Sequence, residues 1–99
     1  MITKLDVQEA KARIAPYVVH TPLLRVPALD GALGCQVYLK HEGFQTIGAF
    51  KIRGAMNKAL SLTREELVRG LVCPSSGNHA QGVAYAAHRL GTRAVIVMP

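Results

Sequence analysis

The chain has 99 residues and a formal net charge of +6, with 49% hydrophobic residues and no tryptophan. This length is enough for one small domain but not for two, and the composition is that of an ordinary soluble α/β protein. The basic residues are dispersed and have no interleaved aromatic platform, so the charge does not predict a nucleic-acid partner. Neither a signal peptide nor an apolar run of membrane-spanning length is present, which predicts a cytoplasmic protein without a membrane partner.

Cysteine and histidine usage limits the chemistry further. Cys35 and Cys73 are far apart and each lies in or beside an apolar segment, which predicts two reduced thiols. No histidine has metal-ligand spacing with these cysteines, so we predict no metal site.

The first elements are predicted from capping signals and hydrophobic periodicity. Thr3 and Asp6 form a capping box, and Val7 and Ile14 belong to an apolar stripe at helical spacing that ends at Pro16. Three further segments follow: an extended segment, a turn or short helix closed by glycine, and a strand, over residues 18–24, 28–34 and 36–40.

A polar loop over residues 41–48 leads into the second half of the chain. Helical spacing predicts a helix from Phe50 to near Ser61. Thr63 then begins a second capping box, for a short helix that stops at Gly70. Within the loop, Glu42 is expected to form a structural ion pair rather than to act as a catalytic acid.

The last part of the chain predicts a βαβ unit with parallel strands. It contains a short buried strand over residues 71–73, an Ala-rich helix and a returning strand over residues 93–98. We expect the helix to bury one face, formed by Ala80, Val83, Ala84, Ala87 and Leu90. Because a buried strand directly before Pro99 would lack neighbours in its sheet, we also expect the chain to be the front part of a longer protein.

Lys51 follows Phe50 where a glycine-marked loop enters a helix. A neutral lysine amine condenses with an aldehyde to a Schiff base, so lysine is an obvious covalent catalyst for carbonyl chemistry. A lone Phe-Lys pair, however, is more often a solvated lysine on a helix face.

A second polar segment, residues 75–78, has the sequence Ser-Ser-Gly-Asn and lies between a strand and a helix. Free N–H groups and the helix dipole make such a loop a receptor for a carboxylate or a phosphate. The alternative is that Ser76 or Asn78 simply caps the helix.

Together these segments resemble a known family. The pattern Lys-x-Glu-x-x-Gln-x-x-Gly-x-Phe-Lys-x-Arg-Gly-Ala-x-Asn over residues 40–57, followed by Ser-Ser-Gly-Asn-His-Ala-Gln-Gly-Val-Ala over residues 75–84, is similar to the threonine/serine dehydratase and serine racemase family. The resemblance extends from about His20 to the last residue. It implies the tryptophan-synthase-β-like α/β fold, of which this chain would form the N-terminal part, and the cofactor pyridoxal 5'-phosphate.

The resemblance also implies residue roles. Lys51 would hold the cofactor as a Schiff base and move the substrate's α-proton, and Phe50 would pack beside the cofactor ring. Asn78 would hydrogen-bond the ring hydroxyl. The substrate carboxylate would be bound by Ser75, Ser76, Asn78 and His79. In racemases the serine that Ser76 matches is the acid/base on the opposite face of the cofactor.

The activity so implied is β-elimination of a hydroxy amino acid, L-threonine or L-serine, to a 2-oxo acid and ammonia. One alternative is a serine racemase or a related hydroxy-amino-acid lyase, and hydroxyaspartate remains open as a substrate. The alternative from another class is a catalytically incomplete α/β fragment without activity of its own. A homo-oligomer is expected for the full-length protein.

The resemblance has gaps. Ala49 stands where many relatives have serine, and Ile47 where a small polar residue is frequent. The family's glycine-rich phosphate-binding loop is expected beyond residue 99. By this resemblance residues 1–45 would belong to the larger cofactor domain, and residues 46–99 would begin the smaller α/β domain.

Overall fold

Five α-helices and four short strands form the structure, a computed structural model that describes residues 1–99. The helices are α1 (Lys4–Ile14), α2 (Asp30–Leu33), α3 (Lys51–Leu60), α4 (Arg64–Arg69) and α5 (Asn78–Leu90). The strands are β1 (Leu23–Arg25), β2 (Tyr38–Lys40), β3 (Leu71–Pro74) and β4 (Ala94–Val97). Single 3₁₀ turns occupy Ala15–Tyr17, Pro27–Leu29 and Glu42–Phe44.

Both predicted capping boxes are confirmed. The Thr3 hydroxyl accepts the N–H of Asp6 at 3.3 Å, and the Asp6 carboxylate accepts the N–H of Thr3 at 2.7 Å. Thr63 and Glu66 make the same reciprocal pair at the start of α4, at 3.2 and 2.8 Å. These bonds satisfy N–H groups that a helix start otherwise leaves without a partner.

The strands form two separate two-stranded sheets. β1 and β2 are antiparallel, with Leu24 opposite Leu39. β3 and β4 are parallel, with Val72 opposite Val95, and α5 is the crossover between them. The predicted βαβ unit is therefore confirmed.

The core lies where α3 packs on α5. Its largest cluster combines one residue from α1, three from α3 and one from α5, namely Ile14, Ile52, Met56, Ala59 and Ala86. A second cluster, beneath β3, consists of Ala55, Cys73 and Val83. The exposed Cys35 and the buried Cys73 are both free thiols. No helix is both long enough and apolar enough to cross a bilayer.

The apolar stripe of α1 is buried at one end only, and two predictions of burial are wrong. Val7 on α1 is 60% exposed, because that helix contacts the rest of the chain mainly near its C-terminal end, where Ile14 is buried. Val72 is 71% exposed, since successive side chains of a strand point to opposite faces and Cys73 takes the face covered by α5. Ala84 is exposed, because the buried face of α5 consists instead of Gly82, Val83, Ala86 and Ala87.

Candidate functional site

The loop before α3 places Lys51 at the first position of that helix. Gly48 has φ +70°, a conformation that side chains disfavour, and its N–H donates to the carbonyl of Gln45 at 2.7 Å. Ala49 is buried, whereas Phe50 and Lys51 are exposed. The Lys51 Nζ lies 5.2 Å from the centroid of the Phe50 ring, within cation–π range. A primary amine is thus presented beside an exposed aromatic face.

The loop between β3 and α5 is closed by one of its two serines. The Ser75 hydroxyl accepts the N–H of Gly77 at 3.3 Å and the N–H of Ala80 at 3.2 Å. Gly77 is the N-cap of α5 and has no side chain to offer, so the alternative that Ser76 or Asn78 caps the helix is wrong.

Because Ser75 closes the loop, the remaining polar groups there are free. The side chains of Ser76, Asn78 and His79 are exposed and make no hydrogen bond within the chain. Asn78 and His79 are the first two residues of α5, so their backbone N–H groups have no intrahelical acceptor. Together with the positive end of the helix dipole, these donors can bind an anionic group.

A close approach between helices brings the two segments together. A Cβ on Gly82 would lie 3.2 Å from the carbonyl oxygen of Lys51 and 3.2 Å from the Cβ of Ala55. Gly82 is four residues from Asn78, which is about 6 Å along the helix axis. One turn further along α5, Ala86 belongs to the same core cluster as Ile52, Met56 and Ala59 of α3. The start of α3 therefore lies against the second turn of α5, and the free donors occupy the first turn of α5.

Glu42 forms the predicted ion pair, and its partner is Arg53. The carboxylate accepts from Arg53 Nε at 2.7 Å and from Nη2 at 2.8 Å. These bonds lower the pKa of Glu42 to about 2, against the effect of its burial, and bonds from Thr21 and Gln45 contribute as well. The same pairing raises the pKa of Arg53.

Sequence reasoning missed the polar anchors of this region. Thr21 and Gln45 are buried, and both hydrogen-bond to Glu42. The Lys40 ammonium donates to the Thr21 carbonyl. The only signal available was the presence of polar side chains within otherwise apolar or glycine-rich segments. No three His, Cys, Asp or Glu side chains converge as metal ligands would.

The donor set fits the aldehyde and ring of pyridoxal phosphate. Lys51 offers an exposed amine, Phe50 an exposed ring beside it, and Asn78 an exposed amide at the start of α5. We identify no comparable cradle for the cofactor phosphate among the 99 residues.

The chain is also similar to known proteins. A family model described as pyridoxal-phosphate dependent enzyme matches residues 14–99. Over 98 residues the chain is 46% identical to the biosynthetic L-threonine dehydratase of Mycobacterium leprae, covering 99% of this chain and 23% of that protein. It is 50% identical over 94 residues to a serine racemase of Oryza sativa subsp. indica, covering 95% of this chain and 28% of that one.

The fold is also that of solved relatives. The crystal structure of a serine racemase from Dictyostelium discoideum matches with a TM-score of 0.91 and 40% identity, over 99% of this chain and 32% of that chain. The chain thus spans between 23% and 32% of the length of these three proteins.

Proposed function

Because this chain belongs to the family of pyridoxal-phosphate dependent enzymes, we propose that the full-length protein is a threonine/serine ammonia-lyase. Here the full-length protein means this chain together with any residues that follow Pro99 in the natural polypeptide. It would convert L-threonine or L-serine to a 2-oxo acid and ammonia. The observation that supports the proposal is the close approach at Gly82, where the Lys51 backbone lies against the second turn of α5.

Lys51 is the proposed cofactor-binding and proton-transferring residue. Its amine would hold pyridoxal phosphate, with the Phe50 ring alongside and the Asn78 amide donating to the ring hydroxyl. Bound pyridoxal phosphate supplies an electron sink for the electrons released at the substrate Cα. Lys51 Nζ would take the proton from Cα, since its amine is exposed at the start of α3.

The helix end of α5 is the proposed clamp for the substrate carboxylate. The N–H groups of Asn78 and His79 and the Ser76 hydroxyl would donate to it, while Ser75 shapes the loop through its own bonds. A carboxylate at a helix N-terminus gains about 0.3–1 kcal/mol from the dipole. Fixing the carboxylate also fixes the Cα–H bond relative to Lys51, and such orientation accounts for much of the acceleration in well-positioned reactions.

A serine racemase is the second candidate. Its support is the free Ser76 hydroxyl, because a two-sided proton exchange needs a group on the face opposite Lys51. Release of 2-oxobutanoate from L-threonine would identify the lyase, whereas D-serine from L-serine with little ammonia would identify the racemase.

The decisive test compares two lysines of α3 in the full-length protein. Lys58 is exposed on the same helix and makes no ion pair. With Lys51→Ala we expect no visible absorption band on addition of pyridoxal phosphate, no borohydride-fixed adduct on the corresponding peptide and a loss of turnover of about 10³-fold or more. Lys58→Ala should behave as the wild type. Full activity in Lys51→Ala would end the proposal.

The 99 residues alone are proposed to be catalytically incomplete. They span only 23% to 32% of the three relatives named above, and no comparable cradle for the cofactor phosphate is identified in them. We therefore expect no stable visible band with the isolated chain under conditions where the full-length protein gives one. A stable band in the isolated chain would contradict this part.

We also propose a domain boundary, an oligomeric state and a cellular location. The separate sheets support a boundary near residue 45, since β1 and β2 precede it and β3 and β4 follow it. We propose a homo-oligomeric cytoplasmic enzyme without nucleic-acid or membrane partners. Sedimentation of the full-length protein and fractionation of cells test these points.

A further inference from the structure

The first turn of α3 contains a cation in an electrostatically unfavourable place. Arg53 is the third residue of α3, where the helix dipole presents its positive end, and the first turn contains no acidic residue. Phe50, the N-cap, has no side-chain hydrogen bond to this helix start. A neighbouring anion offsets this unfavourable interaction.

Glu42 supplies that anion and joins three segments of the chain. Its carboxylate accepts two bonds from Arg53 on α3 and one from the Thr21 hydroxyl in the N-terminal segment. The Gln45 amide, in the loop that leads to α3, approaches the same carboxylate at 3.3 Å. The Glu42 side chain is only 17% exposed.

The N-terminal segment is itself held firmly. Gln45 pairs with Val19 like a strand neighbour: its side-chain oxygen accepts the Val19 N–H at 2.9 Å, and its amide donates to the Val19 carbonyl at 2.8 Å. Thr21 is 1% exposed and its carbonyl accepts from the Lys40 ammonium. Glu42 therefore hydrogen-bonds to two residues, Thr21 and Gln45, that are themselves held by other hydrogen bonds.

Three contacts fix the rotation of α3 about its axis. Residues two apart on a helix do not share a face, so Arg53 and Lys51 point to different sides. Ile52 is fully buried in the core, and the Lys51 backbone lies against Gly82. The ion pair between Arg53 and Glu42 is the third contact, on another side of α3.

We propose that Glu42 is a positioning residue, which through Arg53 sets the orientation of the first turn of α3 and so aims Lys51 at the helix end of α5. This inference rests on the proposed function, because it concerns how the cofactor lysine is presented. Nothing in the proposal requires Glu42 to touch the cofactor or the substrate.

The test measures how fast the full-length protein attaches pyridoxal phosphate to Lys51. Samples are quenched with borohydride at intervals and the adduct on the Lys51 peptide is followed by mass spectrometry. A displacement of about 1 Å at a reacting group costs up to about 100-fold, so we expect Glu42→Gln to slow attachment about tenfold or more. The visible circular dichroism of the bound cofactor should change as well.

The Arg25–Asp30 ion pair provides the matched control. It has similar exposure, with side chains 32% and 29% exposed against 32% and 17% for Arg53 and Glu42, and it does not involve α3. Asp30→Asn should lower the melting temperature but leave the attachment rate within about twofold of the wild type.

Each outcome decides the question. If Glu42→Gln loses stability but attaches the cofactor at the wild-type rate, with an unchanged dichroism spectrum, the positioning role is refuted. If Glu42→Gln does not fold, Arg53→Lys decides: it keeps the positive charge but cannot make the two parallel bonds to the Glu42 carboxylate, and an attachment rate equal to wild type refutes the role. If the wild type itself acquires no adduct on Lys51, the proposed function fails instead.

Discussion

The two adjacent serines before α5 have separate tasks. The Ser75 hydroxyl accepts two backbone N–H groups of the loop and helix start, whereas the Ser76 hydroxyl has no partner in the chain. The structural work of the loop is therefore done by Ser75, and Ser76 is free to meet a ligand.

Paired alanine substitutions separate these tasks. Removing a hydroxyl that satisfies backbone donors at a helix start costs about 1 kcal/mol, so Ser75→Ala should lower the free energy of unfolding by that amount. Ser76→Ala should change it by less than about 0.5 kcal/mol while raising the KM for the amino acid. Urea unfolding and steady-state kinetics of the full-length protein measure both. Equal losses of stability would show that the two serines are not distinct.

The Glu42 carboxylate makes stability depend on pH in a defined direction. Its pKa is lowered from 4.5 to about 2 in the folded state, chiefly by Arg53. A lowered pKa means that the folded state binds fewer protons, so the stabilisation is complete above pH 4.5 and is lost as the pH falls towards 2. Because the Arg53 side chain is 32% exposed, solvent screening reduces the stabilisation that the ion pair provides.

Glu42→Gln tests this dependence. We expect it to lower the free energy of unfolding by about 1–2 kcal/mol at pH 7, with the difference from wild type shrinking as the pH approaches 3. Glu65→Gln, which removes an exposed carboxylate without an ion pair, should cost less than about 0.5 kcal/mol throughout. A Glu42 difference that stayed constant from pH 7 to 3 would contradict the assigned cause. Denaturant titrations at several pH values give the answer.

Some of these residues could be predicted from the sequence, and others could not. The pair of a helix-start lysine and a Ser-Ser-Gly-Asn loop is visible in the sequence because each is a local pattern. The partner of Glu42 is not visible, because Arg53 is 11 residues away and meets it only after the loop has folded. The same holds for Thr21, 21 residues from the carboxylate to which it donates.

Element boundaries were predictable, and the faces of the elements less so. Capping boxes at Thr3 and Thr63 indicated α1 and α4, because the signal lies within four residues. The buried face of α5 was predicted to include Ala84, and the structure instead buries Gly82 and Ala86. Alanine and glycine are common on this helix, so hydrophobicity alone distinguishes its faces poorly. The close approach of α3 determines which face of α5 is buried.

Alanine substitutions at two helical glycines should change the stability in opposite directions. A Cβ added to Gly54 on α3 would meet nothing within 4 Å, so Gly54→Ala should stabilise the protein by about 0.5–1 kcal/mol through helix propensity. At Gly82 a Cβ would meet the Lys51 backbone and Ala55 at 3.2 Å, and neither can move without moving α3. Gly82→Ala should therefore destabilise, by about 1–3 kcal/mol, and slow cofactor attachment to Lys51.

Calorimetry and the adduct assay measure the two effects. The glycine pair is informative because both substitutions add the same methyl group to a helix. If Gly82→Ala were as stable as Gly54→Ala, the contact between α3 and α5 would be looser than the structure has it.

At the scale of the whole molecule, the chain is more extended than its length requires. Its radius of gyration is 16.2 Å, against about 13 Å for a compact domain of this size. Its accessible surface is 7064 Å², against about 5,500 Å² for a folded monomer of this mass. Only 13 of 99 residues are buried, so the core is small for the number of helices it supports.

Part of the excess surface is apolar and lies on one sheet. The face of β3 and β4 away from α5 presents Val72, Val95 and Val97, which are 71%, 51% and 56% exposed. Parallel sheets are ordinarily covered on both faces, because the crossover helices lie on them. The prediction that β3 is buried was reasonable for a parallel strand, and it is wrong for the 99 residues taken by themselves.

This open face predicts a difference between the isolated chain and the full-length protein. We expect the 99 residues alone to bind the hydrophobic dye ANS strongly and to unfold over a broad urea range, since exposed valines bind the dye and the core is small. Val72→Thr and Val95→Thr should reduce the dye signal, while Val68→Thr on α4, at 75% exposure, should not. In the full-length protein we expect weak dye binding and no effect of these valines on it. Strong binding there that disappears with Val72→Thr would mean that the sheet face stays open in the complete protein.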